Sequence, residues 1–360
     1  MKDKTKEQIE QMKKVVIHIH LDGSLRPETV LEWLIEEREY KALEFNSLEE
    51  LQNTDRSILF ERVQKALMVE KNCRDLNEYL EKFDLPCKML QSEEHIMQAT
   101  FELFEDLAKQ NVIYAEVRFA PSKHTQKGLK YEQIVKAAIN GMEMAKSEFE
   151  MDGNLILCAM RGDDKKTNFE TINVAKRYLG KGVAGVDLAG AESIFPTEDY
   201  KDIFKQAKNE KIPITIHAGE AAGPESIKKA LEFGATRIGH GIRCLEDSRL
   251  VGELIQKEIV LEVCPTSNLQ TKATGENHPI EELYRKGLLT TISPDNNTVS
   301  NTNINEEYEW ILENTGLSID DLTQMNINAV RGLFGITPQK KAKLISNINK
   351  AKEQKEIVRE

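Results

Sequence analysis

Histidines and a carboxylate at the ends of apolar runs are the residues of this sequence that are best suited to chemistry. His18 and His20 stand two positions apart in the β-branched run Val15–His20, so both side chains leave the same face of a predicted strand. Two neutral imidazoles on one face can bind one metal ion without distorting the backbone. His217 and Asp295 each end another apolar run and join these two as candidate groups.

Two further polar residues belong to the same group of candidates. His240 lies between two glycines, which let the backbone approach another group closely, and Glu220 follows His217 by three positions. Three imidazoles and one carboxylate form a nitrogen-rich site with room for water, which suits Zn²⁺. A single histidine at a strand end is more often structural than a ligand, so the metal interpretation depends on the whole set.

The other polar candidates carry weaker signals. The chain has seven histidines. Three of them, His95, His124 and His278, lie in helical or loop patterns, where a structural role is expected. Asp187 lies near the end of another apolar run and is read as a structural polar residue, without a chemical role.

The elements that must position these residues are short apolar runs that alternate with helical patterns. The runs lack strict alternation of polar and apolar residues, as is typical of parallel strands covered by helices. Eight such repeats predict an α/β fold, a (β/α)₈ TIM barrel, whose catalytic groups come from the C-terminal ends of the strands. A doubly wound open sheet is the alternative. The runs are Val15–His20, Tyr114–Phe119, Leu155–Met160, Gly182–Gly190, Pro213–Glu220, Arg237–Gly241, Val260–Pro265 and Leu289–Asp295.

The spacing of the runs predicts one barrel domain over residues 1–360. The first two runs are about twice as far apart as a βα unit requires, so residues 27–110 are expected to hold inserted helices that shape or cover the pocket. A helix is predicted from Pro224 to Phe233, with Gly234 as its end. The lysine-rich residues 339–360 predict a solvated C-terminal helix.

The charge and composition exclude several classes of partner. The net charge of −11 disfavours nucleic acid and anionic membranes, because binding to either needs a basic patch. No apolar run is long enough to span a membrane, and the N-terminal residues lack the apolar core of a secretory signal. Five scattered cysteines without a CxxC pair suit a reducing compartment. A cytoplasmic enzyme with a small, near-neutral substrate is therefore expected, whereas the oligomeric state is not visible in the sequence.

An ordered set of motifs runs through the chain. The main ones are HIHLDGS at 18–24, VDLAG at 186–190, HAGE at 217–220, IGHG at 238–241 and SPDN at 293–296. Two lesser ones are YAEVRFAP at 114–121 and CPTSN at 264–268. In this order they resemble the adenosine deaminase family of metal-dependent amidohydrolases. A lone HxH pair is weak evidence for a family, but the ordered set of motifs is specific.

The resemblance implies a role for each residue at the reaction centre. One Zn²⁺ per chain would be bound by His18, His20, His217 and Asp295. Asp295 would also accept a hydrogen bond from the attacking water. Glu220 would protonate ring N1 of the purine, and His240 would orient the attacking hydroxide and stabilise the charge that develops. The implied reaction is the hydrolytic deamination of adenosine or 2′-deoxyadenosine, which turns adenosine into inosine and ammonia.

The resemblance also implies how the substrate is held. His20 would line the substrate pocket, Gly190 would donate its backbone N–H to ring N3, and Asp22 would bind the ribose 5′-hydroxyl. Asn296 stands where many family members carry an aspartate that contacts ring N7. An amide can still donate a hydrogen bond to N7, although purine preference is open at this position.

Several alternatives remain beside this interpretation. Adenine deaminases share the core site but carry glutamate at the position of Asp22, so aspartate favours a substrate with ribose. AMP is disfavoured because no cluster of basic residues is evident for its phosphate. A non-catalytic purine-binding protein on the same fold would be expected to lack Glu220, His240 or a ligand. A phosphotriesterase-like enzyme would need a lysine that bridges two metal ions, and no lysine lies at the ends of the predicted strands. The motifs HxE and PCxxC of cytidine-type deaminases are absent from the sequence.

Overall fold

The computed structural model describes residues 3–70 and 73–357. Eight strands lie within these residues, and each is followed by at least one helix before the next strand begins. The strands are almost completely buried, which explains why their sequences are continuously apolar. They are β1 (Lys14–His20), β2 (Val112–Phe119), β3 (Asp152–Met160), β4 (Val183–Ala189), β5 (Thr215–Ala218), β6 (Arg237–His240), β7 (Val260–Val263) and β8 (Leu289–Ile292).

The strands pair in chain order and all pairs are parallel. Their hydrogen bonds form two half-sheets, β1–β4 and β5–β8. A single bridge joins the halves at each seam, between Val186 and Ile214 on one side and between Ile19 and Asp295 on the other. This arrangement confirms the predicted α/β fold of the (β/α)₈ type. The C-terminal ends of all eight strands therefore face one end of the molecule.

The helices surround the strands, and several of them are inserted after β1 as predicted. The insertion comprises α2–α6, which precede the crossover helix α7. The helices are α1 (Asp3–Gln11), α2 (Pro27–Glu36), α3 (Leu48–Asn53), α4 (Arg56–Leu67), α5 (Leu76–Leu80), α6 (Asp84–Met89), α7 (Glu93–Lys109), α8 (Tyr131–Glu148), α9 (Lys165–Tyr178), α10 (Lys201–Asn209), α11 (Pro224–Phe233), α12 (Ser248–Gln256), α13 (Pro265–Gln270), α14 (Ile280–Arg285), α15 (Ile304–Asn314), α16 (Ile319–Gly332) and α17 (Pro338–Ile357).

The observed strands overlap all eight predicted runs, but the ends differ at β8. The predicted run reached Asp295, whereas the strand ends at Ile292. Pro294 follows and cannot donate a backbone hydrogen bond, so the ladder stops before Asp295. Asp295 instead forms an isolated parallel bridge with Ile19 of β1. Its backbone N–H bonds to His18 O at 3.2 Å, and its carbonyl accepts from His20 N at 2.8 Å.

Two helices show how far local patterns specify helix ends and exposure. Helix α11 begins at Pro224, ends at Phe233 and is followed by Gly234 at φ 97°, where a left-handed residue is needed. The predicted solvated helix near the C-terminus is α17. It is not solvated on all sides, because Leu344 and Ile348 are buried against residues of β1 and α16. Among the described helices, none combines the length and apolar character needed to cross a membrane.

Candidate active site

Four side chains from three distant parts of the sequence meet at the C-terminal ends of the strands. His18 and His20 come from β1, His217 from β5 and Asp295 from the segment after β8. Asp295 Oδ1 lies 3.2 Å from His18 Nε2 and 3.5 Å from His20 Nε2. His20 Nε2 and His217 Nε2 are 3.2 Å apart. All four ligand atoms lie within 4.8 Å of one another, which is the spacing that one metal ion requires.

Buried carboxylates orient two of these imidazoles. His18 Nδ1 lies 2.8 Å from Glu262 Oε2, and His217 Nδ1 lies 2.9 Å from Asp187 Oδ2. An Nδ1–H that faces a carboxylate leaves the Nε2 lone pair directed at the cluster, as in histidines that bind metals. His18 Nε2 is buried and has no hydrogen-bond partner. The donor set and this unpartnered nitrogen therefore fit a bound divalent cation.

Arg118 holds both orienting carboxylates in the ionised form. It is fully buried and donates to Asp187 Oδ2 at 2.8 Å and to Glu262 Oε2 at 2.7 Å. Burial alone would raise the pKa of Asp187, but the contact with His217 and the charge of Arg118 outweigh burial and lower the pKa. Burial would also raise the pKa of Glu262. The charges of Arg118 and Arg237 outweigh burial, so this pKa is lowered well below its usual value. An ionised carboxylate beside Nδ1 favours the Nδ1–H tautomer of an imidazole.

Two site residues adopt the left-handed backbone conformation. His240, the last residue of β6, has φ 60°, and Asp295 has φ 63°. Non-glycine residues pay a strain cost there and are held by their surroundings. Gly239 allows the close approach next to His240, because a Cβ on it would lie 3.1 Å from the Cα of His217 and 3.2 Å from Cε1 of His18.

Glu220 lies across the cluster as a neutral acid. Burial raises its pKa to about 8, and the charge of Asp295 adds to this rise. Its Oε1 accepts a hydrogen bond from Thr271 Oγ1 at 3.1 Å, and its Oε2 lies 3.5 Å from His240 Nε2. Burial lowers the pKa of His240 to about 4. At neutral pH this pair therefore consists of a protonated carboxyl group and an uncharged imidazole.

One cavity of about 580 Å³ is lined by His20, His217, Glu220, His240 and Asp295. Asp22 from the turn after β1, Gly190 after β4 and Asn296 after β8 also line it. Burial raises the pKa of Asp22 to about 7, and its Oδ1 has no hydrogen-bond partner. The inserted region covers the cavity with apolar side chains, which are Leu76, Tyr79, Leu80 and Phe83. The volume and the mixed lining suit a small molecule with one polar edge and one apolar face.

The adenosine deaminase family model matches residues 13–351 of this chain. The chain belongs to the adenosine deaminase family. An adenosine deaminase of Haemophilus ducreyi is 42% identical over 335 residues, which are 91% of this chain and 93% of that protein. One from Clostridium botulinum is 41% identical over 346 residues, covering 94% and 98%. An N6-mAMP deaminase of Arabidopsis has a similar structure, with a TM-score of 0.82, 26% identity, and coverage of 96% of this chain and 99% of that one.

The metal-dependent adenosine deaminase family is the one that the motifs had indicated. The residues chosen from them meet in space: the residues assigned to the metal form one cluster, and Glu220 and His240 lie beside it. His95 and His124 do not line the cavity. His95 stacks on Trp33 with ring centroids 4.1 Å apart, as the structural interpretation expected.

Several adenosine deaminase site residues were missed in the sequence because they act on other residues rather than on the substrate. Glu262 and Asp187 orient the histidines, whereas the sequence predicts only a structural role for Asp187. Asn268 Nδ2 lies 2.9 Å from His240 Nδ1. Glu192 accepts hydrogen bonds from four backbone N–H groups of residues 219–222. A buried glutamate in an apolar strand, as Glu262 is in β7, was the one signal available.

Proposed function

We propose that this chain hydrolyses adenosine, and also 2′-deoxyadenosine, to the corresponding inosine and ammonia. The observation that carries the proposal is the position of Glu220. A carboxyl group with a pKa of about 8 lies at the wall of the cavity, beside a cluster of three imidazoles and a carboxylate. Attack of water on a purine ring needs a proton donor of this kind at a ring nitrogen.

The cluster of His18, His20, His217 and Asp295 would hold one Zn²⁺ per chain. Neutral imidazole nitrogens with one carboxylate oxygen are a usual ligand set for zinc in hydrolases. Burial lowers the pKa of His20 well below its ordinary value, so the ring is neutral and free to bind a cation. When bound, the ion would lower the pKa of a water molecule toward about 7 and so make a nucleophile available at neutral pH.

Glu220 supplies the proton that activates the ring. It donates to N1 of the purine, which makes C6 electrophilic. The water oxygen adds at C6, and the C6–N6 bond then breaks. One proton of the water leaves with the amine as ammonia, and the other restores the acid form of Glu220. The proton on N1 remains in the inosine product.

His240 and Asp295 orient the attacking water from two sides. Burial would raise the pKa of Asp295, but its contacts with the surrounding imidazoles outweigh burial, and the pKa is well below its usual value. The ionised Asp295 accepts a hydrogen bond from the water. His240 is neutral and faces the same space, where it stabilises the negative charge that develops on the oxygen.

Asp22 is the residue that favours a nucleoside over the free base. Its unpartnered Oδ1 can accept a hydrogen bond from the 5′-hydroxyl, which adenine lacks. Gly190, at φ 104°, would direct its N–H to ring N3. On the opposite side Asn296 Nδ2 donates to the Tyr79 hydroxyl at 3.0 Å and has a second hydrogen for ring N7.

The cationic side chains around the cavity disfavour a nucleotide. Lys123 is paired with Asp163 at 2.6 Å, and Lys88 with Glu39 at 2.7 Å. Arg161 donates to the His217 carbonyl at 2.7 Å and to other groups of the barrel. Each of these cations already has partners within the protein. A 5′-phosphate would therefore have to displace such a partner, or its own negative charge would remain unpaired in the cavity.

We place the protein in the cytoplasm. The five cysteines are free thiols, and Cys73, Cys158, Cys244 and Cys264 are buried. Such thiols persist in a reducing compartment.

The test is an ultraviolet assay of the purified protein with adenosine and with adenine, each with and without a chelator. Conversion of adenosine that the chelator abolishes and Zn²⁺ restores is the expected result. Conversion of adenine alone would overturn the assignment of Asp22. Protein that contains zinc and converts neither substrate would contradict the proposed reaction.

A further inference from the structure

We propose that His278 is a positioning residue for this reaction, and that it acts through Asn268 to keep the proton of His240 on Nε2. The inference rests on the proposed function and adds a residue to its machinery. His278 does not line the cavity, lies outside the recognised motifs and had been expected to be structural. It is nevertheless linked to His240 by a continuous chain of hydrogen bonds.

The chain consists of three contacts between buried groups. The backbone N–H of Ile280 donates to His278 Nδ1 at 3.1 Å. His278 Nε2 lies 3.2 Å from Asn268 Oδ1, and Asn268 Nδ2 lies 2.9 Å from His240 Nδ1. Asn268 is fully buried, and 8% of His278 and 1% of His240 are exposed. Water therefore has little access to replace any of these contacts.

The first contact determines the direction of all the others. A backbone N–H can only donate, so His278 Nδ1 must be the acceptor. Burial lowers the pKa of His278 to about 3, and the neutral ring therefore carries its single proton on Nε2. This N–H donates to Asn268 Oδ1, which turns the amide nitrogen of Asn268 toward His240. His240 Nδ1 must then accept, and its proton is on Nε2.

The resulting tautomer matches what the reaction needs. His240 Nε2 lies 3.5 Å from Glu220 Oε2 and faces the reaction cavity. An N–H at this position donates to the oxygen that adds at C6 and stabilises its charge. The opposite tautomer would present a lone pair to the same oxygen and would repel it. It would also place two N–H groups against each other at one of the contacts that link His278, Asn268 and His240.

The competing explanation is that His278 only fills space beside Trp310, whose ring centroid lies 6.0 Å away. Three variants separate the two. His278→Phe keeps a ring but removes the donor, His278→Gln keeps a donor to Asn268, and Asn268→Asp replaces the donor to His240 by an acceptor. His95→Phe is the matched control, because His95 is another buried histidine and makes none of the hydrogen bonds that link His278 to His240.

We expect the kinetic effects to fall on kcat. His278→Phe should lower kcat about 10-fold with KM within about twofold, and Asn268→Asp about 100-fold, because a donor to the developing oxyanion is lost. His278→Gln should recover most of the activity, and His95→Phe should retain it. Equal kcat losses in His278→Phe and His278→Gln would overturn the proposal, as would wild-type kcat in metal-replete Asn268→Asp.

The tautomer itself is measured by ¹⁵N NMR of histidine-labelled, metal-loaded protein. The His240 signals are identified by their loss in His240→Ala. We expect an unprotonated Nδ1 and a protonated Nε2 in the wild type, and a mixture of tautomers in His278→Phe. A wild-type His240 with its proton on Nδ1 would overturn the inference. Failure of the wild type to deaminate adenosine would refute the proposed function instead, and the NMR result would still decide the tautomer.

Discussion

The carboxylate of Glu192 accepts a hydrogen bond from the backbone N–H of Glu220, with N and Oε2 3.0 Å apart. The same carboxylate accepts from the N–H groups of Gly219, Ala221 and Ala222, and from Ser226 Oγ at 2.5 Å. Glu192 is buried, and these donors satisfy it completely. It therefore holds the loop between β5 and α11 that carries Glu220, the proposed catalytic acid.

Glu192→Gln should disturb both stability and turnover. An amide cannot accept from all of these N–H groups, and its own NH₂ would face some of them. We expect a loss of about 2 kcal/mol in the free energy of unfolding and a fall in kcat of about 10-fold, because Glu220 is no longer held in place. Urea unfolding and steady-state kinetics measure the two effects. Glu198→Gln, at an exposed position in the connection between β4 and α10 that also contains Glu192, is the control. Unchanged values for Glu192→Gln would contradict the role.

Glu220→Gln should keep the metal and lose the reaction. The amide preserves the size of the side chain but cannot protonate N1. General acid catalysis contributes on the order of 10²- to 10⁴-fold, so kcat should fall by about that factor. Metal analysis of the same preparation separates loss of the acid from loss of the ion. Near-wild-type turnover by a metal-replete variant would remove Glu220 from its assigned role.

His217→Ala should lower the metal content of the purified protein. Three ligands remain, and Asp187 is left without the imidazole that it faces at 2.9 Å. His95→Ala also deletes a buried imidazole, but one outside the cavity, and should retain the metal. The metal-to-protein ratio by elemental analysis is the measurement. A full complement of metal in His217→Ala would show that His217 is not a ligand.

Asp22→Ala should lower kcat/KM for adenosine far more than for adenine. Loss of one hydrogen bond to the 5′-hydroxyl costs about 1–3 kcal/mol, or about 5- to 150-fold in kcat/KM. Adenine has no ribose, so any residual conversion of adenine should change little. The comparison of kcat/KM for the two substrates gives the answer. Equal losses with both would mean that Asp22 does not contact the sugar.

Glu307 should make the stability depend on pH. It lies on α15, fully buried, and accepts from Thr266 N at 3.1 Å and Thr302 Oγ1 at 2.9 Å. Burial raises its pKa to about 7 from 4.5. The folded state thus binds the proton more tightly than the unfolded state. Stability from this group is complete below pH 4.5 and is lost as pH rises through 7, by about 3 kcal/mol at most.

Glu307→Gln mimics the protonated acid and should remove this loss. Urea midpoints of the variant and the wild type, taken at several pH values from 5 to 8, test it. The wild type should lose more stability than the variant over this interval, whereas Glu276→Gln, at an exposed position, should follow the wild type. Parallel profiles of Glu307→Gln and the wild type would show that Glu307 is ionised in the folded protein.

The strands and the metal cluster were predictable because their signals are local. An apolar run of β-branched residues specifies a strand wherever it packs, and the pair His18 and His20 shares a face by the period of the strand alone. A barrel then brings the C-terminal ends of its strands to one side. The proximity of His217 and Asp295 could therefore be predicted from the fold, before any contact between their side chains was known.

The supporting residues depended on the tertiary structure because their partners lie far away in the sequence. Glu192 bonds a loop that begins 27 positions later, Glu262 contacts His18 across 244 positions, and no spacing rule connects either pair. His278 had been given a structural role, since a histidine in a loop is uninformative until its neighbours are known. Local sequence patterns specify the fold and the candidate site residues. Tertiary packing sets the orientations of these side chains and the surroundings that shift their pKa values, because both depend on which polar groups are enclosed together away from water.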